Sequence, residues 1–304
     1  MHEPGSLTGS AGTDGPRDQI EPSGQDLDLL LLRALDAAGA AASLLAVRPD
    51  RLRAASKSTA TDAVTDQDLA SEALLVRRLL AGDPDDAVLG EESGERAGTS
   101  PVRWVLDPLD GTVNYLYGLP QWSVSVAAEW DGRVVVGVVV APGIDRAWWA
   151  ALGRGSWVGS WRAAVSEDDG YGPNGFGPWE PIHCAEPDGL PMALVGTGFG
   201  YDSDRRRAQG RVVAEVLPLV RDIRRTGAAS VDLCSVAEGT LDAYYERGLQ
   251  PWDHAAGALI AREAGGLCTG LRSGEPSEDF VVAGPPGLHA ELRNLLIGLD
   301  ADQG

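Results

Sequence analysis

The first strong pattern along the chain is helical. Between Asp26 and Val47, apolar residues recur three or four positions apart, which predicts a scaffold helix with a broad apolar face. The residues on that face are Leu27, Leu30, Leu31, Ala34, Ala38, Ala41, Ala42 and Leu45. The polar segment 57–72 is interpreted as a loop or short hairpin entering a second helix that ends near Gly82, with Thr65 or Asp66 as its cap.

The middle of the chain shows the composition of strands. Residues 122–130 and 133–140 are rich in β-formers and are separated by Asp131-Gly132, a dipeptide that favours a two-residue hairpin turn. Residues 146–152 extend this sheet. Upstream, the apolar run 102–106 is expected to be a strand that ends at Pro108, because proline has no N–H to donate to a ladder.

Strands and helices alternate in the second half of the chain. Short strands are predicted near 193–197, 243–246 and 280–282, and helices over 205–216, 252–264 and 287–297. The glycines at 196, 198 and 200 fit a plain strand-to-helix turn better than a phosphate-binding loop. One large domain or two intimately joined lobes would accommodate 304 residues.

Composition narrows the class of protein. A hydrophobic content of 43% and a charged content of 23% are typical of a soluble globular chain. Residues 1–24 are rich in Gly, Ser, Pro and acids and are predicted to be disordered, and 299–304 form a polar tail. No segment is expected to span a membrane or act as a signal peptide, which favours a cytoplasmic location. Three widely spaced cysteines, Cys184, Cys234 and Cys268, indicate buried thiols and neither disulfides nor a zinc site.

The net charge of −20 limits the possible partners. Nucleic-acid binding needs basic surfaces, so this balance argues against it. An anionic substrate would also be repelled by such a chain. Bound cations would reverse the local sign and admit it.

An acidic motif lies at the end of the 102–106 strand. Asp107 and Asp110 flank Pro108 and Leu109 and are followed by Gly111-Thr112, a step that can open a helix. The two carboxylates and the Leu109 carbonyl are oxygen ligands of the kind that Mg²⁺ prefers, and the N–H groups of Gly111 and Thr112 suit a phosphate oxygen. Taken alone, the motif is explained equally well by a tight turn.

Two further acidic clusters strengthen the metal interpretation. The run from Val88 to Gly94 is a short apolar strand that ends in Glu91 and Glu92, and Trp252-Asp253 opens a helix. Asp253 alone would be explained by its favourable interaction with the helix dipole. Beside Asp107 and Asp110, metal ligation becomes the favoured role.

At these three motifs the chain resembles the inositol monophosphatase family of Mg²⁺-dependent, lithium-sensitive phosphatases. The motifs are G-E-E-S at 90–93, W-x-x-D-P-x-D-G-T-x-N at 104–114 and W-D-x-A at 252–255, in the family's order and at approximately its separations. The resemblance covers about Asp26 to Gly298. It implies an α+β fold, a layered αβαβα sandwich over 25–298 with lobes at about 25–160 and 181–298, usually as a homodimer.

The resemblance also implies the roles of individual residues. Two Mg²⁺ ions, with a third weaker one near Glu91 and Asp68, would be held by a set of carboxylates and one carbonyl: Glu91, Asp107, Leu109, Asp110 and Asp253. Thr112 with Glu91 would orient the attacking water. The G-x-A step of Gly227 and Ala229, together with Glu246, would contact polyol hydroxyls, although Glu246 is equally explained as an exposed strand end.

The D-x-V-T-x-x-D pattern of the family falls on Asp62, Val64, Thr65 and Asp68. By this match Asp68 lies close to the metals through water, with Lys57 and Glu72 as neighbouring charges. Without the resemblance, helix caps and solvated acids would explain these residues.

The chain departs from the family pattern after the third strand of the hairpin sheet. Residues 153–159 replace the usual Gly-Ala-aromatic-x-Asn-Gly step, and 166–180 form an inserted loop rich in Gly and acids. The nearby tryptophans are better explained by core packing or an interface than by a sugar-binding platform: Trp148, Trp149, Trp157, Trp161 and Trp179.

The function that these observations favour is hydrolysis of a phosphate monoester, with inositol 1-phosphate as the preferred substrate. Histidinol phosphate is the alternative, since the acidic rim would accept a cationic amine. Other small phosphorylated molecules on which the family acts are further candidate substrates, ranked after these two. In a different class, the protein would be a regulatory or binding partner with vestigial hydrolysis, but the intact set of ligands argues against this.

Overall fold

The computed structural model describes residues 21–49, 54–56, 63–162, 178–272 and 274–303. In these ranges the helices are α1 Gly24–Ala46, α2 Asp66–Gly82, α3 Thr112–Tyr117, α4 Ser203–Val216, α5 Ala229–Glu238, α6 Pro251–Glu263 and α7 Pro286–Gly298. The strands are β1 Ala54–Ser56, β2 Ala63–Thr65, β3 Ala87–Gly90, β4 Gly94–Arg96, β5 Val102–Asp110, β6 Ser123–Trp130, β7 Arg133–Ala141, β8 Arg146–Ala151, β9 Ser156–Gly159, β10 Glu180–Ile182, β11 Leu194–Thr197, β12 Asp222–Arg224, β13 Ala243–Glu246, β14 Leu267–Thr269 and β15 Val281–Gly284.

Within the described ranges, two large sheets organise the chain. The first has eight strands in the order β10-β9-β8-β7-β6-β5-β3-β4, antiparallel except for the parallel pair β3 and β5. The second has five strands in the order β12-β11-β13-β15-β14, with β11 parallel to both of its neighbours. Strands β1 and β2 form a separate antiparallel ribbon.

Helices and sheets alternate as layers. Helices α1 and α2 cover one face of the eight-stranded sheet, and α5 and α6 lie between the two sheets. Helices α4 and α7 pack on the outer face of the five-stranded sheet. Because the larger sheet is covered on both faces, a strand such as β7 is buried almost continuously instead of alternating. The predicted αβαβα sandwich is confirmed.

Helix α1 corrects one expectation from the sequence. It is long and apolar enough, by length and composition, to cross a membrane, so the expectation that no segment approaches a span was too strong. In this structure its leucine and alanine face packs against β6, β7 and α2 instead. Ser23 caps the helix, and its hydroxyl and backbone exchange hydrogen bonds with Asp26.

Strand β5 also differs from the prediction. It continues through Pro108 to Asp110 instead of ending at the proline. Pairing with β6 is regular up to Asp107 and resumes at Asp110, with an irregularity between them. A bulge tolerates a proline because the ladder is already interrupted there, and it turns the intervening side chains out of regular alternation.

The hairpin and the tryptophans agree with their predictions. Strands β6 and β7 join through Asp131 and Gly132, whose φ angles of 47° and 81° are those of a type I′ turn. Trp149 stacks on Trp157 with ring centroids 5.6 Å apart and meets Trp179 edge-on at 6.0 Å. These rings pack on the α1 side of the larger sheet, which confirms core packing.

Several predicted segments fall partly outside the described residues. Residues 1–20, Lys57, Asp62 and residues 166–177 of the inserted loop lie there. The end of the segment predicted to be disordered is ordered, because Ser23 caps α1 and Gly24 begins it. The end of the inserted loop, Trp179 and Glu180, belongs to the packed sheet edge. At the C-terminus, Arg272 forms ion pairs with Asp300 and Asp302, and Ala301 is buried.

Candidate active site

Four acidic side chains reach one cavity from three separate elements. Asp107 and Asp110 come from the bulged end of β5, Glu91 follows the end of β3, and Asp253 lies in the first turn of α6. They line a cavity of about 520 Å³. Strands β3 and β5 are parallel neighbours, so their carboxyl ends lie side by side and bring Glu91 next to the aspartates. We call these four residues the metal end of the cavity.

Backbone and hydroxyl groups hold the aspartates in place. Asp110 accepts hydrogen bonds from the Ser230 N–H at 2.8 Å, the Ser230 hydroxyl at 2.5 Å and the Ala229 N–H at 3.2 Å. Asp107 accepts one from the Leu109 N–H at 2.9 Å. Asp253 accepts one from the Gln250 N–H at 2.6 Å, as part of a capping box. Each carboxylate therefore has a defined orientation before any ligand arrives.

Burial makes the charges of this end costly. It raises the pKa of Asp107 well above its ordinary value, and the nearby Glu91, Asp110 and Asp253 carboxylates raise it further. Burial likewise raises the pKa of Asp253 well above normal, with added repulsion from Asp110 and Glu91. Burial raises the pKa of Asp110 to about 6, although the bonds from Ser230 and Ala229 oppose the shift. The metal end is therefore a group of acids, two of them buried, whose charged forms are unfavourable without a compensating cation.

The chemistry of these donors fits hard divalent cations. Four carboxylates and the Leu109 carbonyl supply only oxygen ligands, as Mg²⁺ prefers, and a bound cation would offset their mutual repulsion. Among the described residues, no three His, Cys, Asp or Glu side chains converge on one point. The assignment therefore rests on the type of donor and on the shared cavity.

Thr112 lies at the edge of the metal end, in the first turn of α3. Its hydroxyl oxygen lies 3.0 Å from both the Asp68 carboxylate and the Leu109 carbonyl, and its single hydrogen is shared between these two acceptors. Asp68 is completely buried and does not line the cavity. It also accepts bonds from the backbone and hydroxyl of Thr65, at the start of α2. The structure thus places Asp68 behind Thr112.

The other charged residues of the cavity wall, which we call the distal end, are a mixture of acids and arginines. Its charged residues are Asp202, Arg205, Arg225, Asp232, Glu246 and Arg247. Burial raises the pKa of Glu246 to about 7, while the Tyr244 hydroxyl and Arg225 act against that shift. Burial also raises the pKa of Asp232 well above its ordinary value. The three acids and three arginines balance in formal charge, and protonation of Glu246 or Asp232 leaves the arginines in excess.

The remaining predicted residues line the same cavity. Gly111, Gly227 and Ala229 are among its walls. Gly111 has φ of +85°, and a Cβ there would lie 2.9 Å from the Gln121 carbonyl and 3.3 Å from that of Gly227, so both conformation and space require glycine. Asn114 closes the same corner by donating to the carbonyls of Gln121 and Thr226.

Sequence reasoning missed several lining or supporting residues. Ser230 binds Asp110 and also contacts the Ser123 hydroxyl at 2.8 Å. A small hydroxyl directly after the Gly-x-Ala step, at a helix start, was the available signal. Gly198, assigned to a plain turn, lies against the Glu246 carboxylate. Nothing in the local sequence marks Arg205, Arg225 or Arg247 as cavity residues.

Comparison with known proteins gives a consistent result. The model of the inositol monophosphatase family matches residues 27–297. The chain is 47% identical over 240 residues to the inositol-1-monophosphatase of Mycobacterium leprae, covering 76% of this chain and 77% of that protein. It is 33% identical over 270 residues to the Nus factor SuhB of Escherichia coli K12, covering 86% and 94%.

A solved structure shares the architecture. The extragenic suppressor protein SuhB of Bartonella henselae superposes with a TM-score of 0.77 at 30% identity, covering 88% of this chain and 98% of that one. The family match spans nearly the whole described chain, including every element that supplies the metal end. The chain therefore belongs to the inositol monophosphatase family and is a phosphatase of that family.

Proposed function

We propose that the protein hydrolyses inositol monophosphates with Mg²⁺ as cofactor. The observation that supports this is that four carboxylates, of which Asp107 and Asp110 are buried, line one cavity together with Thr112. Phosphate esters are anionic, and this cavity would repel them without bound cations. The family membership and the mycobacterial relative named inositol-1-monophosphatase support the same substrate class.

Each metal-end residue has an assigned role in this proposal. Glu91, Asp107 and the Leu109 carbonyl would hold one ion, and Asp107, Asp110 and Asp253 would hold a second. When bound there, the ions supply positive charge for the phosphate and lower the pKa of a coordinated water. The backbone N–H groups of Gly111 and Thr112 bind a phosphate oxygen.

In this proposal, Thr112 and Asp68 orient the attacking water and accept its proton. Because the Thr112 hydroxyl donates towards Asp68 and the Leu109 carbonyl, its oxygen lone pairs are available to accept a hydrogen bond from water. Asp68 stabilises the donor orientation of Thr112, and its carboxylate, 3.0 Å from the hydroxyl, would accept the Thr112 proton as the Thr112 oxygen receives one from the attacking water. Glu91, at the cavity wall, would accept a hydrogen bond from the other O–H of the water, which the water keeps.

The distal end favours a neutral polyol over a cationic group. Among the described residues that line the cavity there are seven carboxylates, and the four of the metal end leave three to face three arginines. Since burial favours the protonated forms of Glu246 and Asp232, the arginines repel a cationic amine. Glu246, Asp232 and the Ala229 backbone are suited to hydroxyl groups. Inositol phosphate is therefore preferred to histidinol phosphate.

The test is phosphate release from inositol 1-phosphate and histidinol phosphate side by side, with Mg²⁺ and with EDTA. We expect turnover that requires Mg²⁺ and a kcat/KM at least about tenfold higher for the inositol ester, which corresponds to about 1.4 kcal/mol. A preference for histidinol phosphate would contradict the charge argument. Absence of turnover on any phosphate ester would contradict the proposed function.

Gly198 offers a test of the distal end. A Cβ at this position overlaps the Glu246 carboxylate, so Gly198→Ala displaces that side chain. We expect KM for inositol 1-phosphate to rise about tenfold while kcat changes little, because lost substrate binding of about 1.4 kcal/mol affects ground and transition states alike. Gly210→Ala is the control, since a Cβ there meets no atom within 4 Å. An equal loss in both variants would exclude this role for Glu246.

A binding function without catalysis is the competing class. The E. coli relative bears the name Nus factor, so such a role deserves an explicit comparison. The net charge of −20 favours small-molecule substrates over nucleic acid. Retention of the complete carboxylate set, together with Thr112 and Asp68, supports hydrolysis.

A further inference from the structure

The turn that presents Glu91 to the cavity is held from behind by helix α2. The Glu91 N–H donates to the Leu106 carbonyl at 3.2 Å, so this residue is still paired with β5. The next two N–H groups, of Glu92 and Ser93, donate to opposite oxygens of the Glu72 carboxylate at 2.9 and 2.7 Å. The backbone of Glu91 is therefore fixed on both sides.

Glu72 is packed tightly in this position. Its side chain is only 3% exposed, and a Cβ added at Gly90 would lie 2.6 Å from its Oε2 atom. It does not line the cavity. Any influence of Glu72 on the reaction must therefore pass through the turn and Glu91, without contact to the substrate.

The same face of α2 contacts two other parts of the site. Asp68, Ser71 and Glu72 are three and four residues apart and so share one side of the helix. Asp68 accepts the bond from Thr112, and the Ser71 hydroxyl donates to the Pro108 carbonyl at 2.8 Å, inside the β5 bulge. One buried polar stripe thus contacts three segments of the site: the turn after β3, the β5 bulge and the start of α3.

We propose, resting on the Mg²⁺-dependent function above, that Glu72 is a positioning residue that sets the affinity of the cavity for Mg²⁺. A carboxylate offers one acceptor oxygen to each of the two N–H groups. A glutamine in the same place would turn its NH₂ group towards one of these N–H donors. One of the two hydrogen bonds that hold the turn would then be lost. Glu91 would then lose its fixed position at the metal end.

The experiment compares the full-length wild type with Glu72→Gln and with Asp66→Asn. Asp66 is an exposed acid in the first turn of the same helix, so it controls for the change of charge. Mg²⁺ binding is measured by isothermal titration calorimetry and by the rise of Tm with Mg²⁺, and phosphate release is recorded separately. We expect half-saturation by Mg²⁺ to shift upward about tenfold or more in Glu72→Gln, and less than about twofold in Asp66→Asn.

The readouts separate positioning from general stability. A lower Tm in EDTA with unchanged Mg²⁺ half-saturation would show a purely structural role and overturn the proposal. If Glu72→Gln does not fold, Glu72→Asp replaces it. That variant keeps the charge but shortens the reach, so we expect a smaller upward shift in half-saturation, and no shift would again overturn the role.

The outcome for the proposed function is read independently. A wild type that binds Mg²⁺ but releases no phosphate contradicts the proposed hydrolysis and leaves the binding test of Glu72 intact. A wild type that is active while Glu72→Gln binds Mg²⁺ normally contradicts only the role of Glu72. A wild type that binds no Mg²⁺ contradicts both.

Discussion

Asp107→Asn is expected to reduce Mg²⁺-dependent phosphate release by about 10³-fold or more, which corresponds to at least about 4 kcal/mol of transition-state stabilisation. Asp107 is 2% exposed and receives repulsion from Glu91, Asp110 and Asp253, so it is central to the metal end. Asparagine keeps an oxygen to accept the 2.9 Å bond from the Leu109 N–H. The loss of activity should therefore result from the missing charge, and the fold should be preserved.

The measurement pairs initial rates with thermal unfolding. Saturating Mg²⁺ should raise the Tm of the wild type, because a ligand at about 100 times its Kd stabilises the native state by about 2.7 kcal/mol. In Asp107→Asn this rise should be lost or strongly reduced. Asp131→Asn is the matched control, since Asp131 lies in the β6–β7 turn with φ of 47°, a conformation that asparagine tolerates. A variant of Asp107 with normal rates would remove it from the ligand set.

Thr112→Val is expected to lower kcat by about 10²-fold or more, with a much smaller change in KM. The reason is that general acid–base catalysis contributes about 10²–10⁴-fold to the rate of such reactions. Valine preserves the branched shape and removes only the hydroxyl that lies 3.0 Å from Asp68 and from the Leu109 carbonyl. Asp68 retains its bonds to Thr65, so the start of α2 should remain folded.

Thr112→Ser provides the corresponding rescue. Serine keeps the hydroxyl, and its activity should stay within about tenfold of the wild type, a difference of about 1.4 kcal/mol. Steady-state kinetics at saturating Mg²⁺ separate kcat from KM for the three proteins. If Thr112→Val and Thr112→Ser were equally impaired, packing at the start of α3 would be the cause, and the hydroxyl would have no part in catalysis.

Local patterns were sufficient for much of the fold. The spacing of leucine and alanine in 26–47 predicted α1, and Asp131-Gly132 predicted the hairpin turn that β6 and β7 form. The three acidic motifs identified the family, which the comparisons confirm. These features depend on residues close together in the chain, so periodicity and turn chemistry are enough to recognise them.

Other expectations failed where context overrides local preference. Pro108 was predicted to end β5, but the strand accommodates it in a bulge because β6 resumes pairing at Asp110. The expectation that no segment approaches a membrane span also failed, because α1 is long and apolar enough by composition, although its partners in this structure are β6, β7 and α2. The properties of one residue or one segment do not determine which element packs against it in the folded protein.

The sequence by itself determined the donor types of the site and the elements that present them: Glu91 after a strand, Asp107 and Asp110 around a proline, and Asp253 in a helix's first turn. Tertiary structure decided that these lie in one cavity, that Asp68 stands behind Thr112, and that arginines balance the distal acids. It also decided that Glu72 binds the turn after β3. The physical reason is that burial, charge compensation and hydrogen bonding between distant segments depend on how whole layers pack, which local spacing does not encode.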